Sequence, residues 1–191
     1  MCGRYHHHLS KMHGWTDALR DWPLDLADGD VFPRSQVAAF RADRCESMRW
    51  GLINAKSKEF ATKASTHNAR IETVDQLWTF RDAWSKQQRC LIPMAGYYEF
   101  VGEKGSKQKF YITDKDTDGL VVAGLWEQWQ DGQLSCTMIT READEEMAQV
   151  HHRMLVYLTP ETASSWLDGE MSKDEAEALD KPNVIFFPAN S

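Results

Sequence analysis

Arg89-Cys-Leu-Ile-Pro-Met-Ala-Gly-Tyr-Tyr-Glu-Phe-Val101 and, further on, Leu120-Val-Val-Ala-Gly-Leu-Trp126 set the architecture of this chain. Around them, Arg89 to Met94, Tyr97 to Val101, Lys109 to Thr113, Leu120 to Trp126 and Gln133 to Thr140 are short apolar segments. They alternate with turn material: Gly102-Glu103-Lys104-Gly105, Asp118-Gly119 and Asp131-Gly132. Apolar runs of this length bounded by Gly and Asp read as strands. Asp131-Gly132 between Trp129 and Leu134 is a hairpin signal, because both central positions of such a turn need a positive φ. The middle of the chain therefore predicts a mostly antiparallel sheet.

The flanking sequence adds helices. Thr73 to Gln87 carries Val74, Leu77, Trp78, Phe80, Ala83 and Trp84 at helical spacing, with Asp75 in its first turn, where the dipole favours acid. Arg141 to Val150, Pro160 to Leu167 and Ser172 to Leu179 read as further short helices, and Trp15 to Trp22 as another, capped by Thr16 and stopped by Pro23. Val31 to Phe40 reads as a strand interrupted at Pro33. Ser47 to Ile53 and Asn183 to Phe187 are strands, and Ser57 to Thr66 is a loop. Strands with interspersed helices and no linker or repeat make one α+β domain over residues 1–191.

Composition narrows the function classes. Among 191 residues, 42% are hydrophobic and eight are Trp, enough for a packed core. No run reaches the ~20 apolar residues of a membrane span, and no basic segment followed by an apolar stretch opens the chain. A cytoplasmic protein is expected. Cys2, Cys45, Cys90 and Cys136 are irregularly spaced, which in that compartment argues for free thiols rather than disulfides or zinc. His6-His7-His8 has no second ligand cluster, and in a strand alternate members point to opposite faces. No metal and no cofactor are expected. The net charge of −7 excludes binding nucleic acid by bulk charge and requires a local basic face.

Cys2 follows Met1 directly. Removal of Met1 would put an α-amine of pKa ~7.7–8.0 and a thiol of pKa ~8.5 on one residue. Such a 1,2-aminothiol condenses with an aldehyde to an imine, on which the sulfur then closes to a thiazolidine; an internal cysteine cannot, because its nitrogen is an amide. Other polar residues sit where packing does not ask for them. Glu99 lies inside the apolar strand Gly96 to Phe100, where a carboxylate is costly unless paired or wet. Asn68 and Arg70 precede the long helix. His151 and Arg153 precede the apolar run Met154 to Leu158.

Seven motifs in order resemble one family: Met-Cys-Gly-Arg at the start, Arg-Trp-Gly-Leu-Ile (Arg49 to Ile53), Asn-Ala-Arg-x-Glu-Thr (Asn68 to Thr73), Cys-Leu-Ile-Pro-x-x-Gly-Tyr-Tyr-Glu (Cys90 to Glu99), Ala-Gly-Leu-Trp-Glu (Ala123 to Glu127), Thr-x-x-Ala (Thr140 to Ala143) and His-x-Arg-Met (His151 to Met154). The chain is similar to the SRAP family, the SOS response-associated peptidases that process abasic sites. The resemblance implies a barrel-like sheet core flanked by short helices, and self-removal of Met1. It further implies capture of the abasic aldehyde of single-stranded DNA as a thiazolidine crosslink, which some members release again by a lyase-like reversal.

The implied catalytic set is Cys2, Asn68, Glu99 and His151. Glu99 would shuttle protons, with a pKa raised by burial. His151, titrating near neutrality, would protonate the sugar ring oxygen. Asn68 would orient the amine or the sugar. Arg4, Arg70 and Arg153 would bind phosphates, Trp50 and Phe100 would stack on bases, and Thr140 is a phosphate contact or a helix N-cap. Trp126 and Trp129 read as core. Departures from the family pattern are Leu155 for Pro, Phe100 for Trp, Asp30-Val31-Phe32-Pro33 for Asn-x-Ala-Pro, and Asn54-Ala55-Lys56 for Pro-Ser-Trp; they touch DNA-facing parts. The expected partner is single-stranded DNA with abasic sites, met at the nucleoid by a monomer with no obligatory protein partner and no membrane contact. Two alternatives stand beside this reading: a thiol peptidase acting on other proteins, and a non-covalent reader of modified or single-stranded DNA.

Overall fold

The computed structural model describes residues 2–7, 15, 26, 28–103, 105–117 and 119–189. In chain order the strands are β1 (Tyr5–His7), β2 (Gly29–Val31), β3 (Gln36–Phe40), β4 (Cys45–Trp50) and β5 (Asn68–Arg70). After α1 (Trp78–Ser85) come β6 (Arg89–Met94), β7 (Gly96–Val101), β8 (Gln108–Asp114), β9 (Leu120–Gln128) and β10 (Leu134–Glu142). The chain ends in β11 (Arg153–Leu155), β12 (Tyr157–Leu158), α2 (Pro160–Leu167), α3 (Lys173–Ala178) and β13 (Val184–Pro188).

Five strands close on themselves. β3 pairs β4, β4 pairs β10, β10 pairs β9, β9 pairs β6 and β6 returns to β3. Closure removes the exposed edges of an open sheet. Every step of the ring is antiparallel except β4–β10. β5 and β11 extend β10, and β12 extends β9. Against the barrel lies a second, wholly antiparallel sheet in the order β13-β8-β7-β1-β2.

The barrel strands are apolar on both faces because both are covered. Cys90 and Ile92 of β6 join a core shared with the second sheet, where Tyr5, Tyr97 and Ile112 lie. Leu91, between them, joins a core under the helices with Phe80, Ala83 and Trp166. Strands covered on both faces lose polar alternation, which is why Leu120 to Leu125 is a continuous apolar run. Gly124 sits where space is short: a Cβ there would lie 2.8 Å from Cys90 Sγ.

The Asp131-Gly132 hairpin forms as expected, with φ of 63° and 82°. Pro160 opens α2 at its first turn. Ser172 caps α3 reciprocally: its Oγ accepts from the Glu175 N–H at 3.2 Å, and its own N–H donates to Glu175 Oε2 at 2.8 Å.

Several expectations are corrected. The helix expected over Thr73 to Gln87 begins only at Trp78, with Ile71–Thr73 forming a separate 3-10 turn. Arg141 to Val150 is not a helix: β10 runs on to Glu142 because β11 pairs with it, and only Met147–Gln149 turns as 3-10. Trp126 and Trp129 are half-buried rather than core. Arg41 covers the Trp126 ring at 4.4 Å, and Trp129 Nε1 donates to the Ser57 carbonyl at 2.8 Å. The helix expected over Trp15 to Trp22 lies outside the described residues, apart from Trp15 itself.

Candidate active site

Cys2 reaches the centre of the molecule through strand pairing. β1 and β7 are antiparallel with Tyr5 opposite Tyr97, and the Tyr98 N–H donates to the Arg4 carbonyl at 3.0 Å. Continuing that register sets Gly3 opposite Glu99. The Cys2 side chain is fully buried in the core between the barrel and the second sheet. Its Sγ lies 3.8 Å from the Arg4 carbonyl. Burial pushes its thiol well above the ordinary range, and the Glu99 charge pushes the same way.

Asn68 stands at the start of β5, carried there by parallel pairing with Met138 of β10. Its Nδ2 donates to the Cys2 carbonyl at 2.8 Å, tying residue 2 to an element 66 positions away. Glu99 is 5% exposed. Strand alternation turns it inward while Tyr98 and Phe100 face out. Burial raises its carboxyl pKa, opposed by the positive amino terminus and by Lys107.

His151 follows the 3-10 turn, its N–H bonded to the Met147 carbonyl at 2.9 Å. Nδ1 accepts the Arg153 N–H at 2.9 Å, which leaves Nε2 as the protonated nitrogen of the neutral ring. Its ring stacks on His152 with centroids 4.3 Å apart. Burial, the amino-terminal charge and His152 lower its pKa to about 4. This corrects the expectation that it titrates near neutrality: at pH 7 it is a neutral donor through Nε2–H.

Asn68, Arg70, Thr140, His151 and Arg153 line one cavity of about 260 Å³. Arg4 and Phe100 line a second, of about 350 Å³, with Lys107 and Lys109. Trp50 belongs to neither as a stacking face: it is fully buried, its Nε1 donates to the His67 carbonyl at 2.9 Å, and its ring meets Tyr5 edge-on at 5.1 Å. Phe100 is exposed at the rim.

The arginines are not equivalent. Arg4 pairs with Asp30, Nε to Oδ2 at 2.8 Å, and lies 4.8 Å from the Tyr98 ring and 5.5 Å from that of Phe32. Arg153 forks onto Glu72, Nη1 to Oε1 at 2.5 Å and Nη2 to Oε2 at 2.8 Å, and Nη2 also reaches the Thr140 carbonyl at 3.0 Å. Arg70 is exposed. Thr140 is no helix cap: it is a buried β10 residue whose Oγ1 donates to the Ala69 carbonyl at 3.2 Å. The motifs contain Glu72 and the departures contain Asp30, but neither revealed an arginine partner, and Lys107 and Lys109 lie outside both. Lys107 and Lys109 carried a signal, as alternate basic positions leading into an apolar strand.

Among the described residues no group of three His, Cys, Asp or Glu is placed to hold a metal, and His6 bonds Asp30 through Nδ1 at 3.0 Å. None of the four cysteines forms a disulfide. No helix among the described residues is long and apolar enough to cross a membrane.

The class is a closed β-barrel with an antiparallel sheet laid against it and a cysteine from the second position of the chain enclosed between the two. Comparison with known proteins gives the family. The model of the SOS response associated peptidase (SRAP) family matches residues 1–185, and the chain belongs to that family. It is 29% identical to the abasic site processing protein YoqW of Bacillus subtilis (strain 168), covering 100% of this chain and 96% of that protein. It is 32% identical to YoaM of the same organism, covering 100% and 95%. A crystal structure of a protein from Bordetella bronchiseptica superposes with a TM-score of 0.84 at 28% identity, over the whole of both chains.

Proposed function

We propose that this protein processes abasic sites in DNA by covalent capture through Cys2, after removal of Met1. The carrying observation is the Asn68–Cys2 hydrogen bond, which ties residue 2 in place next to Gly3, the position that the strand register sets opposite Glu99. Hydrolysis of the Met1–Cys2 amide consumes one water and frees the α-amine. The amine adds to C1′ of the ring-opened sugar, and loss of water gives an imine. Cys2 Sγ then bonds to the imine carbon while the thiol proton passes to nitrogen, leaving a thiazolidine.

Glu99, its pKa raised, takes and returns these protons. Neutral His151 donates Nε2–H to the sugar oxygen. Arg70 and Phe100 contact the strand directly. Arg4 and Arg153 meet phosphates only as members of their pairs with Asp30 and Glu72, and Thr140 helps fix Arg153. Trp50 acts from behind, holding the His67 carbonyl. The substrate form is single-stranded DNA, whose unpaired bases reach a recessed site without the cost of opening a duplex. A thiol peptidase acting on other proteins is disfavoured, because a thiol nucleophile does not need the α-amine that removal of Met1 exposes.

The test is intact mass of Met1-free protein mixed with an abasic single-stranded oligonucleotide. The expected product gains the mass of the oligonucleotide less one water and is absent with Cys2→Ala. No adduct from verified Met1-free protein sinks the proposal.

A further inference from the structure

A third cavity, of about 360 Å³, opens beside the candidate site between the turn after β2 and the loop leading to β5. Arg34, Arg49 and Lys63 line it, and no Asp or Glu does. Among the described residues none of the three has a carboxylate partner within ion-pair distance, although Arg4, Arg41 and Arg153 all do. Arg49 is 9% exposed. Its Nη1 donates to the Gly51 carbonyl and its guanidinium lies 5.9 Å from the Phe60 ring, both neutral groups. A buried cation without a carboxylate is costly, and here a second guanidinium stands close by: burial and the Arg34 charge together depress the Arg49 pKa.

The backbone is also bent to serve this place. Arg34 has a φ of 81°, a conformation that costs a non-glycine residue of order 1–3 kcal/mol. It is held there by the bond of its N–H to the Trp50 carbonyl at 2.7 Å, while its Nη2 reaches toward the Thr62 carbonyl at 3.5 Å. Gly51, with a φ of 126°, leaves room for the Arg49 guanidinium, since a Cβ there would lie 2.8 Å from Nη1. Ser65 and His67 line both this cavity and the one that holds Asn68 and His151, so the two share a wall.

We propose that the Arg34–Arg49–Lys63 cavity is a phosphodiester subsite that takes the strand on one side of the captured lesion. Three converging cations lacking an acid fit a phosphate, and the shared wall gives the strand a path to the site. The proposal rests on the reading of this protein as one that acts on single-stranded DNA, but not on the covalent step.

The test uses an undamaged single-stranded oligonucleotide, so that binding is read without crosslinking. Anisotropy titrations over a range of salt compare wild type with Arg34→Gln and Lys63→Gln, both at exposed positions. Lys115→Gln, just after β8 on the second sheet and away from the cavity, removes the same charge elsewhere. The expected result is affinity at least about threefold weaker in the two cavity variants, with a log–log salt slope shallower by about 0.7 for each phosphate no longer neutralised. Lys115→Gln should match wild type.

Equal slopes in all four proteins, or the same change in Lys115→Gln, overturn the subsite. Calorimetry with inorganic phosphate separates the source: saturable binding that disappears in Arg34→Gln, with oligonucleotide slopes unchanged, makes this a free-anion site and overturns the proposal. If the slopes shift as expected while an abasic oligonucleotide gives no adduct, the subsite stands and the capture reading fails.

Discussion

At the scale of single residues, Glu99 shows how far a sequence carries. A carboxylate in the middle of Gly96 to Phe100 was conspicuous because it is costly there unless paired or wet, and strand alternation turns it inward, where it is buried. Trp50 was not legible. The resemblance implied a ring that stacks on bases, but β4 is paired on both sides, to β3 and β10, and a residue at that depth has no solvent to face. The pairings of Arg4 with Asp30 and Arg153 with Glu72 were hidden because the partners lie 26 and 81 positions away. The raised pKa of Glu99 has a signed consequence. The folded state holds the proton more tightly than the unfolded chain, so this group favours folding below its unfolded pKa, and that contribution is lost as pH rises through the folded value. Glu99→Gln should therefore be the more stable protein at pH 7 to 8, with the advantage vanishing toward pH 4, as chemical denaturation at several pH values will report. The same substitution should slow adduct formation by about 10²–10⁴-fold, the usual worth of a general acid–base. A variant that keeps full rate removes Glu99 from the chemistry.

At the scale of elements, strands were read more accurately than helices, for a physical reason. Arg89 to Met94 matches β6 because a run covered on both faces is apolar throughout and ends where the cover ends. The helix over Thr73 to Gln87 was overextended because Val74 and Leu77 continue its apolar spacing upstream of Trp78, yet Leu77 and Trp78 are both about half exposed. Leu77 is instead the extended residue at which α1 starts. Arg141 to Val150 was misread because β11, which draws β10 onward to Glu142, arrives from later in the chain. Two tryptophans separate apolar spacing from real burial. Trp166 is fully buried, its Nε1 donates to the Cys90 carbonyl at 3.1 Å, and Arg89 lies over its ring at 4.4 Å. Trp166→Ala should cost about 3–5 kcal/mol, while Trp78→Ala should stay within about 0.5 kcal/mol. Equilibrium denaturation of both distinguishes them, and equal losses would mean that the α1 surface is covered in solution.

At the scale of the whole molecule, the parallel β4–β10 step closes the barrel, and nothing local in either segment announces it. Closure makes one core from distant pieces: Cys2, Trp50, Cys90, Tyr97 and Met138 share a single cluster. The proposed nucleophile is thus set in the part of the fold that can least rearrange, and its position depends on barrel packing rather than on a terminal arm. Gly124 tests this. A methyl group there would meet Cys90 Sγ and Ile92 Cδ1 at 2.8 Å, closer than real contacts allow, and the Thr137 carbonyl oxygen at 3.0 Å, which is tight. The oxygen belongs to backbone held in the β9–β10 ladder and cannot retreat, whereas Cys90 can be shortened. Gly124→Ala should cost about 1–3 kcal/mol by overpacking, lowering Tm by about 2–4 °C for each kcal/mol in a chain of this size. Fluorescence and far-UV dichroism should still fall together, since one cluster joins both sheets. Adding Cys90→Ala should recover part of the loss, so that the double variant is more stable than the sum of the singles predicts by about 0.5 kcal/mol or more. Strict additivity would show that the barrel yields at Ile92 instead, and separate transitions for the two probes would show that the second sheet, with Cys2, melts on its own.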